Sequence, residues 1–279
     1  MNSIITYGQN KLIPIHQITP KAGIEELNAL KPYLAGRKLI GLGESTHGTS
    51  EFTTLRHSLF KYLVQEEGFN TVFLEEDYAS CLRVDNYIKG SDDQLEEVIL
   101  AFNQWPWKTK EMATLIEWMR AYNLENKSKQ LNFIGVDLQY FHSTLNAIDS
   151  ILLNENLSLD TILFTSTTSD REFIQLKDTT DLKEYHSIFN QRKAIVDTID
   201  APFSIITHLK HLLRSLVYII EEKYNRQNAF YRDMRMADNI LAHLKSKEEL
   251  KGIYWAHNAH ISISCPYEEA VKCRAGANL

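Results

Sequence analysis

This sequence predicts an α/β fold, a largely parallel sheet flanked by helices with a helical cap or insertion. Three observations carry the prediction. Short apolar, β-branched runs alternate with long stretches of helical periodicity, the pattern of βα units. Each run is almost continuously apolar, as in strands covered on both faces. No Gly/Ser linker, repeat or low-complexity tract interrupts the 279 residues. They read as one continuous domain, 1–279, with a mostly helical insertion or cap over 141–250.

Four strands are expected, at 38–42, 71–74, 131–136 and 252–255. After the first, Phe52, Leu55, Leu59 and Leu63 recur at helical spacing, Gly68 stops the helix, and His57 is assigned to its surface. A second helix is expected over 111–123, with Leu115, Trp118 and Met119 on one side. From 202 to about 247 the pattern predicts a pair of long helices broken near Asn225. The stretch 157–200 is rich in Thr, Ser and Asp and predicts no definite element.

Composition narrows the function classes. Thirty Lys and Arg against 36 Asp and Glu leave a net charge of −6, with no basic cluster to attract nucleic acid. Cys81, Cys265 and Cys273 are too few and too scattered for a disulfide framework. No run approaches the ~20 apolar residues of a membrane span, and no signal peptide is visible at the start. The expectation is a soluble, cytoplasmic protein.

Chemistry concentrates where the strands end. The first run leads into Gly43-Glu44-Ser45-Thr46-His47-Gly48, the second into Glu75-Glu76-Asp77. The third leads into Asp137-Leu138-Gln139 and the fourth into His257-Asn258-Ala259-His260. Open parallel sheets bring the carboxyl ends of their strands to one crevice. Glu44, His47, Glu75, Asp137, His257 and His260 are therefore expected on one rim. Each also has a plain structural reading. Glu75 fits a solvated acidic turn, Asp137 a helix cap, His257 a core histidine, and Arg56 a surface ion pair. Gly-x-Ser-x-Gly, Walker and His-Glu-x-x-His patterns are absent. What remains is a histidine that takes a proton from water, oriented by a carboxylate. The alternative is a metal site using His47, Glu44, Glu75, His257 and His260 as ligands.

Several separated blocks together resemble the erythromycin esterase family, hydrolases that open the macrolide lactone ring. They are the run from Gly43 to Phe52 with Arg56, Gly68-Phe69 through Glu75, and Trp107 through Glu111 with the run from Trp118 to Asn123. Phe133 through Gln139, Arg232 through Asn239 and Trp255 through Ile261 complete them, so the likeness covers 41–262. It implies an esterase with an α/β fold, a small ester or lactone substrate, no cofactor and no serine nucleophile. It places the essential histidine on His47 and its paired glutamate on Glu44. The second glutamate falls on Glu75, and Arg56 and His257 would bind the ester carbonyl. Trp107 and Arg232, within the matching blocks, join Asp137 and His260 as expected substrate-binding residues. Relatives usually continue well beyond the His-Asn-Ala-His block. The chain therefore reads as C-terminally shortened, and a weak or inactive family member is a third expectation.

Overall fold

A computed structural model of the chain describes residues 24–34, 36–157, 179–224, 230–246 and 248–262, with 275 and 279. Asn225, Cys265 and Cys273 lie outside the described residues, as do most of 263–279 and the part of 157–200 from 158 to 178.

All four expected strands are present: β1 (Leu39–Glu44), β2 (Thr71–Asp77), β3 (Asn132–Asp137) and β4 (Gly252–His257). They form one parallel sheet in the order β1-β4-β2-β3. Each strand runs on into the acid or histidine assigned to the following loop. Glu44, Glu75, Asp137 and His257 therefore sit on hydrogen-bonded backbone at one edge.

The α-helices that follow β1 are α1 (Ser50–Glu67), α2 (Tyr78–Lys89), α3 (Leu95–Leu100), α4 (Lys110–Glu125), α5 (Phe141–Asn154), α6 (Thr179–Ile195), α7 (Phe203–Tyr224), α8 (Tyr231–Ser246) and the short α9 (Asn258–Ile261). Strand side chains alternate between the two faces, and each face has its own core. Phe73, Val136, Tyr254 and Ala256 pack with α5, α6, α7 and α8. Val72, Leu74, Phe133, Ile253 and Trp255 pack with α1, α2 and α4. Each fully buried Val, Leu, Ile or Phe among them stabilises the fold by roughly 1.5–3 kcal/mol. Residues 141–250, where described, are thus a helical layer lying on one face of the sheet.

α1 departs from its predicted stripe. Gly68, in the left-handed conformation at φ 71°, ends it as expected, and the Phe69 N–H donates back to Leu63 O at 3.0 Å. Its buried face is Thr53, Arg56, His57, Phe60, Leu63 and Val64, while Phe52, Leu55 and Leu59 are only partly covered. Arg56 must reach the end of β1, and that rotation carries His57 inward, correcting its surface assignment. Burial, with Lys61 nearby, lowers the His57 pKa to about 4, so its ring stays neutral beside Trp118.

α7 corrects a second expectation. By length and composition alone it could cross a membrane. Here Leu209, Leu212, Leu213, Leu216 and Ile220 are buried in the core, as in the central helix of a packed layer.

Candidate active site

Glu44, the last residue of β1, is buried, and its two oxygens are divided between two partners. Oε1 pairs with His47 Nδ1 at 2.5 Å, and Oε2 accepts from Arg56 Nη1 at 3.2 Å. Arg56 also donates through Nε to Leu42 O at 3.1 Å and through Nη2 to Gly43 O, and it lies over the Trp255 ring. Burial lowers its pKa to about 10, opposed by the Glu44 charge, so it stays cationic at neutral pH. Arg56 is only 3% exposed. Its guanidinium lies behind Glu44, engaged by that carboxylate and by the β1 backbone, where the resemblance implied a carbonyl ligand. With Nδ1 committed to Glu44, the His47 ring leaves Nε2 as its second nitrogen on a partly exposed side chain.

A second network lies across the rim. Glu75 Oε1 accepts from Arg232 Nη2 at 3.0 Å and pairs with His260 Nε2 at 3.1 Å. Its Oε2 accepts the backbone N–H of His257 at 2.8 Å. Asp137 takes Arg232 in a fork, Nε at 2.7 Å and Nη2 at 2.6 Å. The other nitrogen of His260 reaches Asp233 Oδ1 at 2.9 Å. Burial alone would discharge these groups, but the charges opposite outweigh it. The Glu75 carboxyl is held below its ordinary range against burial by His260 and Arg232, and Asp137 likewise by Arg232. Despite burial, Asp233 and Glu75 raise the His260 pKa to about 9. His260 is therefore an imidazolium at neutral pH.

His257 links the two halves. Its Nδ1 accepts from Ala259 N at 3.1 Å, capping α9, so the donor nitrogen is Nε2, which faces Ser45 O at 3.3 Å. Its ring centroid lies 5.2 Å from that of His47. Trp107 meets His47 edge-on at 6.3 Å, while its Nε1 donates to Glu75 O at 3.1 Å. Trp107 is 1% exposed and packs behind the histidine.

The erythromycin esterase family model matches residues 64–279. The chain belongs to this family. The erythromycin esterase type II of Escherichia coli is 25% identical over 91% of this chain, which spans 67% of that relative. A Bacillus cereus protein of known structure, 25% identical, superposes with a TM-score of 0.78 over 99% of this chain and 70% of its own. An erythromycin esterase mutant solved in its open conformation shares the fold, with 19% identity and a TM-score of 0.68 over 93% of this chain and 71% of its own. Membership of the esterase family supports hydrolase chemistry.

The fold brings together all nine residues expected at the family's site, but in distinct layers. His47 and His257 face one another at the rim. Glu44, Glu75, Asp137 and His260 lie beneath them with Arg56 and Arg232, all committed to one another. The acidic-turn reading of Glu75 fails, because Glu75, Glu76 and Asp77 are all buried. The capping reading of Asp137 fails too, because α5 begins four residues past it, with Tyr140 at the cap position, and takes no cap from it. Among the described residues no group of three or more His, Cys, Asp and Glu is disposed to hold a metal ion. The expected ligand nitrogens of His260 both face carboxylates, and the Nδ1 atoms of His47 and His257 face Glu44 and Ala259 N.

Three residues escaped the sequence reading. Asp233 holds His260, and only its place beside Arg232 could have flagged it. Gln104 donates to Glu75 O and Asp137 Oδ2, tying the ends of β2 and β3 together. Glu76 accepts the backbone N–H groups of Asp77 and Gln104. Burial and the neighbouring Asp77 raise its pKa to about 9.

Proposed function

We propose that the chain hydrolyses carboxylic esters, macrolide lactones among them, with His47 as general base toward water. The observation that carries this reading is the chain Arg56–Glu44–His47, which ends on an exposed imidazole facing a second histidine. Glu44 holds the Nδ1 proton of His47, so Nε2 carries the lone pair. Nε2 takes a proton from water as the water oxygen bonds to the ester carbonyl carbon. The negative charge then falls on the carbonyl oxygen, where the Nε2–H of His257 can turn from the long Ser45 contact to donate. Collapse breaks the C–O bond, and His47 returns its proton to the leaving alkoxide. A simple ester yields an acid and an alcohol, and a lactone yields one hydroxy acid. Glu75, Asp137, Arg232 and His260 hold the His257 backbone in place and exchange no proton with the substrate.

General-base catalysis of this kind contributes roughly 10²–10⁴ in rate. The test is mass-spectrometric detection of an 18 Da gain on macrolides and simple esters, with His47→Ala alongside wild type. A loss of that size in His47→Ala is expected, and equal rates for the two proteins would refute the assignment.

A further inference from the structure

The segment after α3 holds two tryptophans in opposite circumstances. Trp107 is 1% exposed, whereas Trp105 leaves 68% of its surface in water. So large an apolar surface left in contact with water is unfavourable, and looseness of the segment does not explain it. Asn103 Nδ2 donates to Asp77 Oδ1 at 2.6 Å, and the Gln104 N–H donates to Glu76 Oε2 at 2.9 Å. Gln104 Nε2 reaches Glu75 O at 3.1 Å and Asp137 Oδ2 at 3.0 Å, and Trp107 Nε1 also reaches Glu75 O at 3.1 Å. Every acceptor belongs to a buried residue. Trp105 is thus presented outward from a support pinned on both sides.

The indole lies against Gly48, at the site. A Cβ built on Gly48 would stand 2.9 and 3.2 Å from Cζ3 and Cη2 of Trp105, and Gly48 has φ +77°. Glycine meets both that backbone and that approach without strain or displacement of the indole, and Gly48 directly follows His47. The cations Arg56, Arg232 and His260 are each bound to carboxylates. None is left to receive an anionic group.

We propose that Trp105, seated on Gly48, is the residue that selects the substrate, a platform for a sizeable apolar group beside the reacting carbonyl. The chemistry of this step rests on the ester-hydrolase reading, but the binding does not. A rigid aromatic surface presented in advance binds a hydrocarbon face with little ordering cost.

The experiment has two arms. In the first, p-nitrophenyl acetate, butyrate and octanoate are compared as substrates. Wild type should favour octanoate over acetate by at least roughly tenfold in kcat/KM. Trp105→Ala should flatten that dependence through KM, Gly48→Ala should do the same by displacing the indole, and Trp105→Phe should restore part of it. An unchanged chain-length dependence in Trp105→Ala overturns the proposal. In the second arm, acrylamide quenching of tryptophan emission is measured with 2-decanone, a neutral carbonyl compound that cannot be hydrolysed, and with acetone. Among four tryptophans Trp105 is the most exposed, so 2-decanone should shield the emission and acetone should not. The shielding should persist in His47→Ala and vanish in Trp105→Ala. Absence of shielding overturns the platform even if esters are cleaved. Shielding without cleavage of any ester overturns the hydrolase reading and leaves the platform standing.

Discussion

Glu44 and Arg56 form a buried ion pair whose partners cannot be removed singly without penalty. Arg56→Ala leaves Glu44 Oε2 without its buried cation, and breaking a buried pair from one side costs about 3–5 kcal/mol. An unfolding free energy lowered by that amount in urea titration is expected, together with loss of activity as His47 loses its fixed carboxylate. Combining Arg56→Met with Glu44→Gln removes both charges and should recover much of the stability without recovering activity. Arg56→Lys should behave more like Arg56→Ala than like wild type, since one ammonium cannot serve Glu44, Leu42 O and Gly43 O together. At this scale the sequence was legible in kind and not in role. Glu44 and His47 could be brought to one rim from their place at a strand end, but spacing did not say which acid partners which base, and only likeness paired them. Arg56 could be flagged only by likeness, because nothing in its neighbours says that it points inward. His57 was misplaced for the same reason.

Among elements, the N-terminal turn of α8 acts as a clamp, since Arg232 holds the ends of β2 and β3 through Glu75 and Asp137. Arg232→Ala should destabilise by about 3–5 kcal/mol and lower activity together with stability, as read by denaturation and turnover on one preparation. The same clamp sets the pH response. His260 keeps its proton when folded up to a pKa of about 9, against 6.5 ordinarily. Its contribution to stability is therefore complete below about 6.5 and lost as pH rises through 9. Glu76 acts in the same direction. Its folded pKa of about 9 against an ordinary 4.5 means the folded state binds a proton that the unfolded state has lost, so stability falls as pH rises between those values. Unfolding midpoints should therefore fall between pH 6.5 and 9, and less steeply in His260→Asn; an equally steep fall in that variant would disprove the role of His260. Glu75 and Asp137, held below the ordinary range, contribute above it and lose that contribution on acidification. The strands were readable as apolar runs, and α1, α4 and the helical stretch 202–247 as periodic ones. The clamp was not, because ion pairs between Arg232 and residues ninety or more positions away leave no local pattern.

Across the whole molecule, protection should follow the sheet order. Among the described residues β4 and β2 are central and buried along almost their whole length, while β1 is an edge strand with partly exposed residues. Hydrogen exchange should be slowest over 253–255 and 72–74 and faster over 39–43; uniform protection would contradict this layout. The fold class was the most legible feature of all, since continuous apolar runs separated by helices admit few alternatives. The order of the strands was invisible, because nothing local in 252–257 says that it lies between 39–44 and 71–77. That order has a kinetic consequence. The last strand among the described residues occupies an interior place, so β1 has no partner until β4 arrives from about 210 residues further along the chain. Glu44 and His257 stand opposite one another in that final pairing. Closing so long a loop is slow, and the two histidines are strangers until it closes. In refolding, activity should return only with the slowest phase, after most helical signal has recovered. A ribosome-bound chain that has not yet released its fourth strand would be catalytically silent, however much of its helical layer had formed.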